Sequence, residues 1–518
     1  MTAPVTPSLT DTTLRPSRTA PIPARALGVL IGVIAVGPRA DRGVTGITLR
    51  AQQVRPGDLF AALPSLTPGR PHGADFAATA LAAGAAALLT DNAGVHRMVD
   101  SGLGDVDVPV LIHADPRSVL GALSARIYGE PSTRLAVLGV TGTSGKTTTT
   151  FLLEAGLRAA GAGTGLLGTV QDRIGDQVLP SAFTTPEAPD LQALLGLMVE
   201  RGVTHLPMEV SSHALALDRV GGTRFAVGAF TNLSQDHLDF HADLEDYFNA
   251  KALLFDGRAA TEVVCVDDAW GRRLVTGATR TVSLDGANTA ATWRATDLTT
   301  AVSGTQTFRI LGPDGFDEPA QVRLPGSFNV TNALLAVAIA EAAGADARLV
   351  LRGIATAEVP GRMQRVDAGQ GFLALVDYAH KPAAVAALLD AVRAQVPGRL
   401  LVVLGCGGDR DTGKRPMMGA EASARADLLV VTDDNPRTED PAAIRAAMRS
   451  GAQAGSAEVV EIADRAAAID YAVGRAGPGD AVVVAGKGHE TGQQVHDVTY
   501  PFSDAEVLAQ TLADRSAR

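Results

Sequence analysis

Apolar runs of five or six residues alternate with longer amphipathic stretches through most of this chain, and several of the runs end in loops of Gly, Asp, Asn, His and Lys. Between Arg134 and about Val359 the runs Leu135–Val140, His205–Val210, Phe225–Phe230 and Glu262–Val266 predict strands separated by helices. Such alternation favours a mainly parallel sheet with helices on both faces. Residues 290–324 break the pattern: short, polar, Thr-rich segments predict antiparallel strands, after which Pro325-Gly326 opens a helix through Asn332–Ala343. Pro360-Gly361-Arg362 marks a boundary. Beyond it Phe372–Val376, Leu400–Leu404, Leu428–Val431 and Ala481–Ala485 predict strands, and Pro382–Arg393 and Pro441–Arg449 predict helices. Asp440 before Pro441 reads as an N-cap with proline at the first helical position.

The N-terminal part is less regular. Residues 1–24, rich in Thr, Pro, Ser and Arg, read as a disordered tail. Ala26–Val36 is an apolar stretch of 11 residues. A bilayer span takes about 20, and Gly37-Pro38-Arg39-Ala40 is a poor cleavage site for a secretion signal, so the stretch predicts a buried strand. Val54–Phe60 predicts a turn and strand, Phe76–Leu89 an Ala-rich helix running into a strand, and Val108–His113 another strand, with Pro131-Ser132 as a linker. A chain of 518 residues is too long for one core. The expected class is α/β in three domains: 25–133, 134–359 and 360–518.

Charge and cysteine content narrow the partners. With 45 Lys and Arg against 56 Asp and Glu, the net charge is −11 and no long basic run is present. This argues against nucleic acid or an anionic membrane as partner. The two cysteines, Cys265 and Cys406, are far apart and lack metal-ligand spacing, which excludes a disulfide framework and favours the cytoplasm. Cys406 has no adjacent histidine base and is not expected to be a nucleophile.

The strongest chemical signal is Gly139-Val140-Thr141-Gly142-Thr143-Ser144-Gly145-Lys146-Thr147-Thr148. Strand, glycine loop, Lys-Thr and helix together form a phosphate cradle. Backbone N–H groups and the helix N-terminus face the anion, Lys146 reaches the outer phosphates, and Thr147 offers a hydroxyl to Mg²⁺. Val140 stands where the common pattern has its first glycine, so the loop is a compact variant. Glu209, at the end of His205–Val210, suits Mg²⁺ ligation, although a charge after a strand is commonly just solvated. The segment Asp236-His237-Leu238-Asp239-Phe240-His241 could hold a second metal, shuttle protons, or simply satisfy buried hydrogen bonds; the residues alone leave this open. Further loops follow strands at Asp377-Tyr378-Ala379-His380-Lys381, Gly405–Asp411, Asp434-Asn435-Pro436-Arg437 and Gly486-Lys487-Gly488-His489-Glu490. Their mixture of Arg, Asn, Lys and Glu suits a zwitterionic ligand.

The motifs GTSGKTTT, MEVSSHAL, FTNLSQDHLDFH, LPGSFNVTN, PGRMQ, VDYAHKP, GCGGDRD, DDNPR and AGKGHE occur in that order. Over about residues 45–510 the chain resembles the Mur ligases of peptidoglycan synthesis, in the form that adds the third residue to UDP-MurNAc-L-Ala-D-Glu. The resemblance implies a small α/β UDP-binding domain, a central P-loop ATPase domain and a C-terminal Rossmann-like domain. It also implies activation of a carboxylate by ATP as an acyl phosphate, followed by attack of an amine.

The resemblance extends to individual residues. Gly142, Thr143, Ser144, Gly145, Lys146, Thr147, Thr148, Asn329, Asn332, Arg362, Asp377 and His380 would bind ATP. Lys146, Glu209, His237 and Lys251 would be catalytic, and Thr147, Glu209, His237 and Lys251 would hold Mg²⁺. Lys251, by itself an ordinary helix lysine, matches a position carbamylated by CO₂. Leu49, Thr184, Thr185, Ser211 and Arg219 would bind UDP-MurNAc-dipeptide, with Arg50-Ala51-Gln52 standing where members often carry Asp-Ser-Arg. Leu217 stands where some members have a polar substrate contact. Arg410, Asp434, Asn435, Pro436, Arg437, Gly486 and Glu490 would bind meso-diaminopimelate, since Arg437 needs a second carboxylate that L-lysine lacks. The partners implied are these small molecules, without nucleic acid or membrane, acting on a monomer. Competing readings are the same ligase using L-lysine, a folylpolyglutamate synthase, and a non-catalytic nucleotide-binding regulator.

Overall fold

The computed structural model describes residues 14–179, 183–238, 240–301, 304–409 and 411–516. The chain divides into two compact units, residues 1–139 with 162–227 and 253–260, and residues 140–161 with 228–252 and 261–518. Among the described residues no helix is long and apolar enough to cross a membrane.

The first unit holds a five-stranded sheet in the order Ala35–Val36, Val110–Ile112, Ala87–Thr90, Asp58–Ala61, Gly46–Thr48. All neighbours run parallel except Ala35–Val36 against Val110–Ile112. Side-chain alternation serves two cores. Leu59, Ala61, Ala87 and Leu89 join one apolar cluster with Leu27 and Leu123, while Phe60, Ala62 and Leu88 join another with Ala77 and Met98. A third cluster gathers Val137, Leu191, Leu195, Met198, Leu206, Met208 and Phe225.

Three expectations fail in this unit. Residues 26–36 are not a buried strand: Ala24–Leu30 is helical and only Ala35–Val36 is extended. The helix buries Ala24, Leu27 and Gly28, whereas Val29 and Ile34 are 80% and 83% exposed. Hydrophobicity alone misleads here because the stretch turns at Gly32, with φ +74°, instead of crossing the core. The N-terminal tail is placed from Leu14 onward. Arg15 pairs with Asp58 at 2.6 Å, and Ile22–Pro23 pairs with Gly43–Val44. Residues 1–13 lie outside the described residues. Pro131-Ser132 is not an exposed linker either; both residues are buried in the short helix Pro131–Thr133.

An eight-stranded sheet takes its strands in the order His205–Glu209, Ala136–Thr141, Phe225–Phe230, Ala259–Cys265, Arg280–Ser283, Trp293–Thr300, Gln306–Leu311, Asp317–Val322. The last three are antiparallel neighbours, as the Thr-rich pattern predicts. In the second unit the helix Ser327–Ala342 begins directly after Pro325-Gly326, where the sequence opens it. The helices Lys146–Ala159, Ser327–Ala342 and Ala347–Ile354 pack on one another.

A six-stranded sheet follows in the order Gln364–Arg365, Leu373–Asp377, Ala481–Ala485, Leu400–Leu404, Leu428–Val431, Glu458–Glu461. Its last five strands are parallel. The loops after Asp377, Ala485, Leu404 and Val431 therefore leave from one edge, where open α/β sheets bind ligands.

Beneath that edge Arg465 and Asp504 form an ion pair with both side chains 0% exposed, at 2.7 and 2.8 Å. Arg465 also donates to the carbonyl of Ala485 at 2.9 Å. Asp504→Ala would leave this cation buried without its partner, and the unfolding free energy is expected to fall by about 3–5 kcal/mol in chemical denaturation.

Candidate active site

Strand Ala136–Thr141 delivers the chain into Gly142, and helix Lys146–Ala159 starts after Gly145. Gly142 has φ +142°, and a Cβ there would lie 1.9 Å from Thr231 Oγ1. The loop is clasped by the next strand's end. Thr143 N donates to Asn232 O at 2.9 Å, Ser144 N to Asn232 Oδ1 at 3.0 Å, and Thr231 Oγ1 to Ser144 O at 2.7 Å. These contacts explain the missing first glycine: Val140 is fully buried inside the strand, and the close approach occurs at Gly142.

Two lysines converge on this loop. Lys146 Nζ donates to the carbonyls of Gly142 and Thr143 at 2.9 and 3.2 Å, and Lys251 Nζ donates to Gly142 O at 2.8 Å. Lys251, an ordinary helix lysine by sequence alone, is 1% exposed and lies over the Tyr247 ring at 4.4 Å. Burial first, then the neighbouring Lys146 and Lys381 charges, push its amine well below the usual lysine range. Arg362 donates to Thr147 Oγ1 at 3.3 Å and stacks over Tyr378 at 4.3 Å. Asn332 bonds Asn329 Oδ1 at 3.0 Å, and Thr149 Oγ1 reaches Asn332 Oδ1 at 3.4 Å. Thr148 is buried behind the loop.

Asp377 accepts from Met363 N and Ala379 N, both at 2.7 Å. Burial raises its pKa against the opposing Arg362 charge. His380 contacts the Tyr378 carbonyl through Nδ1 at 2.8 Å, which fixes the proton on Nδ1. Burial, then Lys381 and Lys414, hold its pKa well below the usual value, so the ring is neutral. His237 has φ +53° and pairs with Asp236 at 3.0 Å; Asp236 also pairs with Lys381. Burial would raise the Asp236 pKa, but the Lys381 and His237 charges take it well below the usual range.

The edge of the six-stranded sheet collects the other loops. Asn435 Nδ2 donates to Glu490 Oε2 at 2.8 Å. Arg437, at φ +50°, donates to the Gly408 carbonyl, and its backbone is bracketed by Gln494 O at 3.1 Å and His496 N at 2.7 Å. Pro436 is buried, its carbonyl 2.0 Å from where a Gly408 Cβ would stand. At Gly486, φ +115°, such a Cβ would sit 2.6 Å from Asp434 Oδ2. Arg410 lies outside the described residues.

In the first unit Glu209 is 1% exposed and accepts from Thr169 N and Oγ1 at 2.9 and 3.0 Å. Thr184 Oγ1 contacts Thr169 Oγ1 at 3.0 Å, and Thr185 Oγ1 donates to the Glu209 carbonyl at 2.9 Å and approaches Ser211 Oγ at 3.4 Å. Arg219 pairs with Glu187 at 2.9 Å. Leu49 packs against the apolar core, and Arg50 in place of an acidic residue reaches Asp190 at 3.3 Å. Among the described residues no group of three or more His, Cys, Asp or Glu could hold a metal.

Residues 140–340 match the Mur ligase middle domain, and residues 361–488 match the Mur ligase, glutamate ligase domain. The UDP-N-acetylmuramoyl-L-alanyl-D-glutamate–2,6-diaminopimelate ligase of Corynebacterium glutamicum is 50% identical over 95% of this chain and 94% of its own. The enzyme of that name from Streptomyces coelicolor is 50% identical over 96% and 98%. The chain belongs to the Mur ligase family. A solved structure of a ligase with that name superposes with a TM-score of 0.68 at 32% identity, covering 96% of this chain and 100% of the other.

Against the family's motifs, several residues that touch the expected site residues escaped the sequence. Thr169, Tyr247 and Gln494 carry no local signal. Asp236, Lys381 and Lys487 sit inside quoted motifs, but only the fold reveals their pairings. Cys406 lies 3.3 Å from Met418 with its thiol pushed up to about 12 by burial, which leaves no thiolate for nucleophilic chemistry. This Mur ligase should lose nucleotide binding when Gly142 gains a methyl group. Gly142→Ala is expected to weaken ADP binding by at least on the order of tenfold in calorimetric titration. Gly161→Ala, at φ +86° with nothing within 4 Å of the new Cβ, should leave the affinity unchanged.

Proposed function

We propose that this protein couples ATP hydrolysis to the addition of meso-diaminopimelate to the D-Glu carboxylate of UDP-MurNAc-L-Ala-D-Glu, giving the UDP-MurNAc-tripeptide, ADP and phosphate. The observation that carries the amino-acid assignment is the sheet-edge loop in which Asn435, bonded to Glu490, is followed two residues on by Arg437, bonded to the Gly408 carbonyl. A guanidinium, an amide and a carboxylate together match an ammonium and a carboxylate on one carbon. L-Lysine would leave Arg437 without a carboxylate partner. The relatives at 50% identity carry names that agree with this choice.

A carboxylate repels an amine and has no leaving group. Transfer of the γ-phosphoryl to a D-Glu carboxylate oxygen breaks the phosphoanhydride bond, releases ADP and leaves an acyl phosphate. Attack by the diaminopimelate amine then expels phosphate. Lys146, held over the loop, neutralises charge on the transferring phosphoryl, and the N-terminus of its helix adds positive potential. Asn329, Asn332, Arg362, Asp377 and His380 are assigned to the nucleotide, and Leu49, Thr184, Thr185, Ser211 and Arg219 to the UDP-sugar peptide.

Lys251 fits carbamylation chemically. CO₂ reacts only with a neutral amine, and this buried amine sheds its proton far more readily than an exposed lysine. In the second unit Thr147, His237 and a carbamylated Lys251 are the groups assigned to Mg²⁺, whose preference for oxygen suits hydroxyl and carbamate. When bound, Mg²⁺ would stabilise charge on phosphate oxygens. The domain division proposed is 25–133, 134–359 and 360–518, supported by a separate sheet within each range, and the cytoplasm is the proposed site of action.

Incubation with UDP-MurNAc-L-Ala-D-Glu, ATP, Mg²⁺ and either meso-diaminopimelate or L-lysine should yield the diaminopimelate adduct by mass spectrometry. Its absence would sink the assignment. Removing CO₂ at neutral pH is expected to slow turnover by on the order of tenfold or more, with recovery on adding bicarbonate. Lys251→Arg, whose guanidinium stays protonated, should not recover.

A further inference from the structure

Lys487 lies in the loop after Ala481–Ala485 with its side chain 0% exposed. Its ammonium donates to Glu490 Oε2 at 2.8 Å and Asn435 Oδ1 at 3.0 Å, and lies 3.9 Å from Asp434 Oδ1. A cation removed from water to this extent persists only with opposite charge and full hydrogen bonding around it.

Its contacts are directional. Asn435 Oδ1 accepts from Lys487 and also from Gln494 N at 2.8 Å, so the amide nitrogen is left facing Glu490. Glu490 Oε2 accepts from Lys487 and Asn435 together. Amide and carboxylate are thus held in one arrangement by the Lys487 ammonium, with Gln494 N as a second donor to the amide oxygen.

The charge balance carries the argument further. Asp434 and Glu490 contribute two negative charges; Lys487 and Arg437 contribute two positive ones. With both positive charges in place among these four groups, the cluster complements a zwitterionic end group better than a bare ammonium. Removing the Lys487 charge makes these loops more negative by one unit, which shifts the preference towards a cationic side chain.

We propose that Lys487 is a positioning residue for amino-acid choice: it orients Asn435 and Glu490 and balances their loops, so that an amino acid ending in an ammonium and a carboxylate is preferred over one ending in an ammonium alone. This rests on the ligase reading above.

The test compares kcat/KM for meso-diaminopimelate and L-lysine in the wild type, Lys487→Met, Lys487→Gln and Lys487→Arg, with KM for ATP measured alongside. In the Met and Gln variants the diaminopimelate-to-lysine ratio should fall by on the order of tenfold to hundredfold, with KM for ATP unchanged. Lys487→Arg should keep more of the ratio than either. An unchanged ratio with uniformly lower activity, or failure of all three variants to fold, would overturn the proposal and leave Lys487 a structural pin. A wild type that forms no tripeptide with either amino acid would instead sink the ligase reading itself.

Discussion

Two lysine side chains share one backbone oxygen, the carbonyl of Gly142. Two full ammonium charges so close would repel strongly in a buried setting. Burial relieves the conflict by lowering the proton affinity of Lys251, the more enclosed of the two. The arrangement depends on the loop's path, because the left-handed Gly142 and the clasp from Thr231 and Asn232 aim that carbonyl at both amines. A loop gripped this way is preorganised for a polyanion, and its second amine loses its proton more readily than an exposed lysine would.

The same economy of charge governs the sheet edge in the C-terminal part of the chain. Parallel strands bring four loops to one side, and each supplies a group that would be costly alone. Lys487 is tolerable because Asn435, Asp434 and Glu490 surround it. Arg437 holds its left-handed backbone through two hydrogen bonds, its N–H donating to Gln494 O and its carbonyl accepting from His496 N. Asp236 and Lys381 likewise stabilise each other, although their loops are far apart in sequence. The chemistry of each loop is thus a property of its neighbours as much as of its own residues.

Much of this architecture was legible beforehand where one period dominated. The apolar runs at Leu400–Leu404, Leu428–Val431 and Ala481–Ala485 match the observed strands residue for residue, because strands buried on both faces are continuous in hydrophobicity. The Thr-rich stretch 290–324 announced antiparallel strands through alternation and turns. Residues 26–36 misled for a related reason: an apolar run does not say whether it will cross a core or turn away from it. Arg15 misled in the opposite sense, since a polar tail gave no sign of Asp58 waiting 43 positions downstream.

By itself, the sequence determined the alternating α/β class, the phosphate loop and the ordered motifs, because each is a local pattern of spacing or composition. Only the tertiary structure decided that Lys251 is buried on Gly142, that Glu209 is held by Thr169, and that Lys487 sits caged by Asn435 and Glu490. Those facts arise from long-range packing, which sets burial and pairing, and burial and pairing determine what a titratable side chain can do.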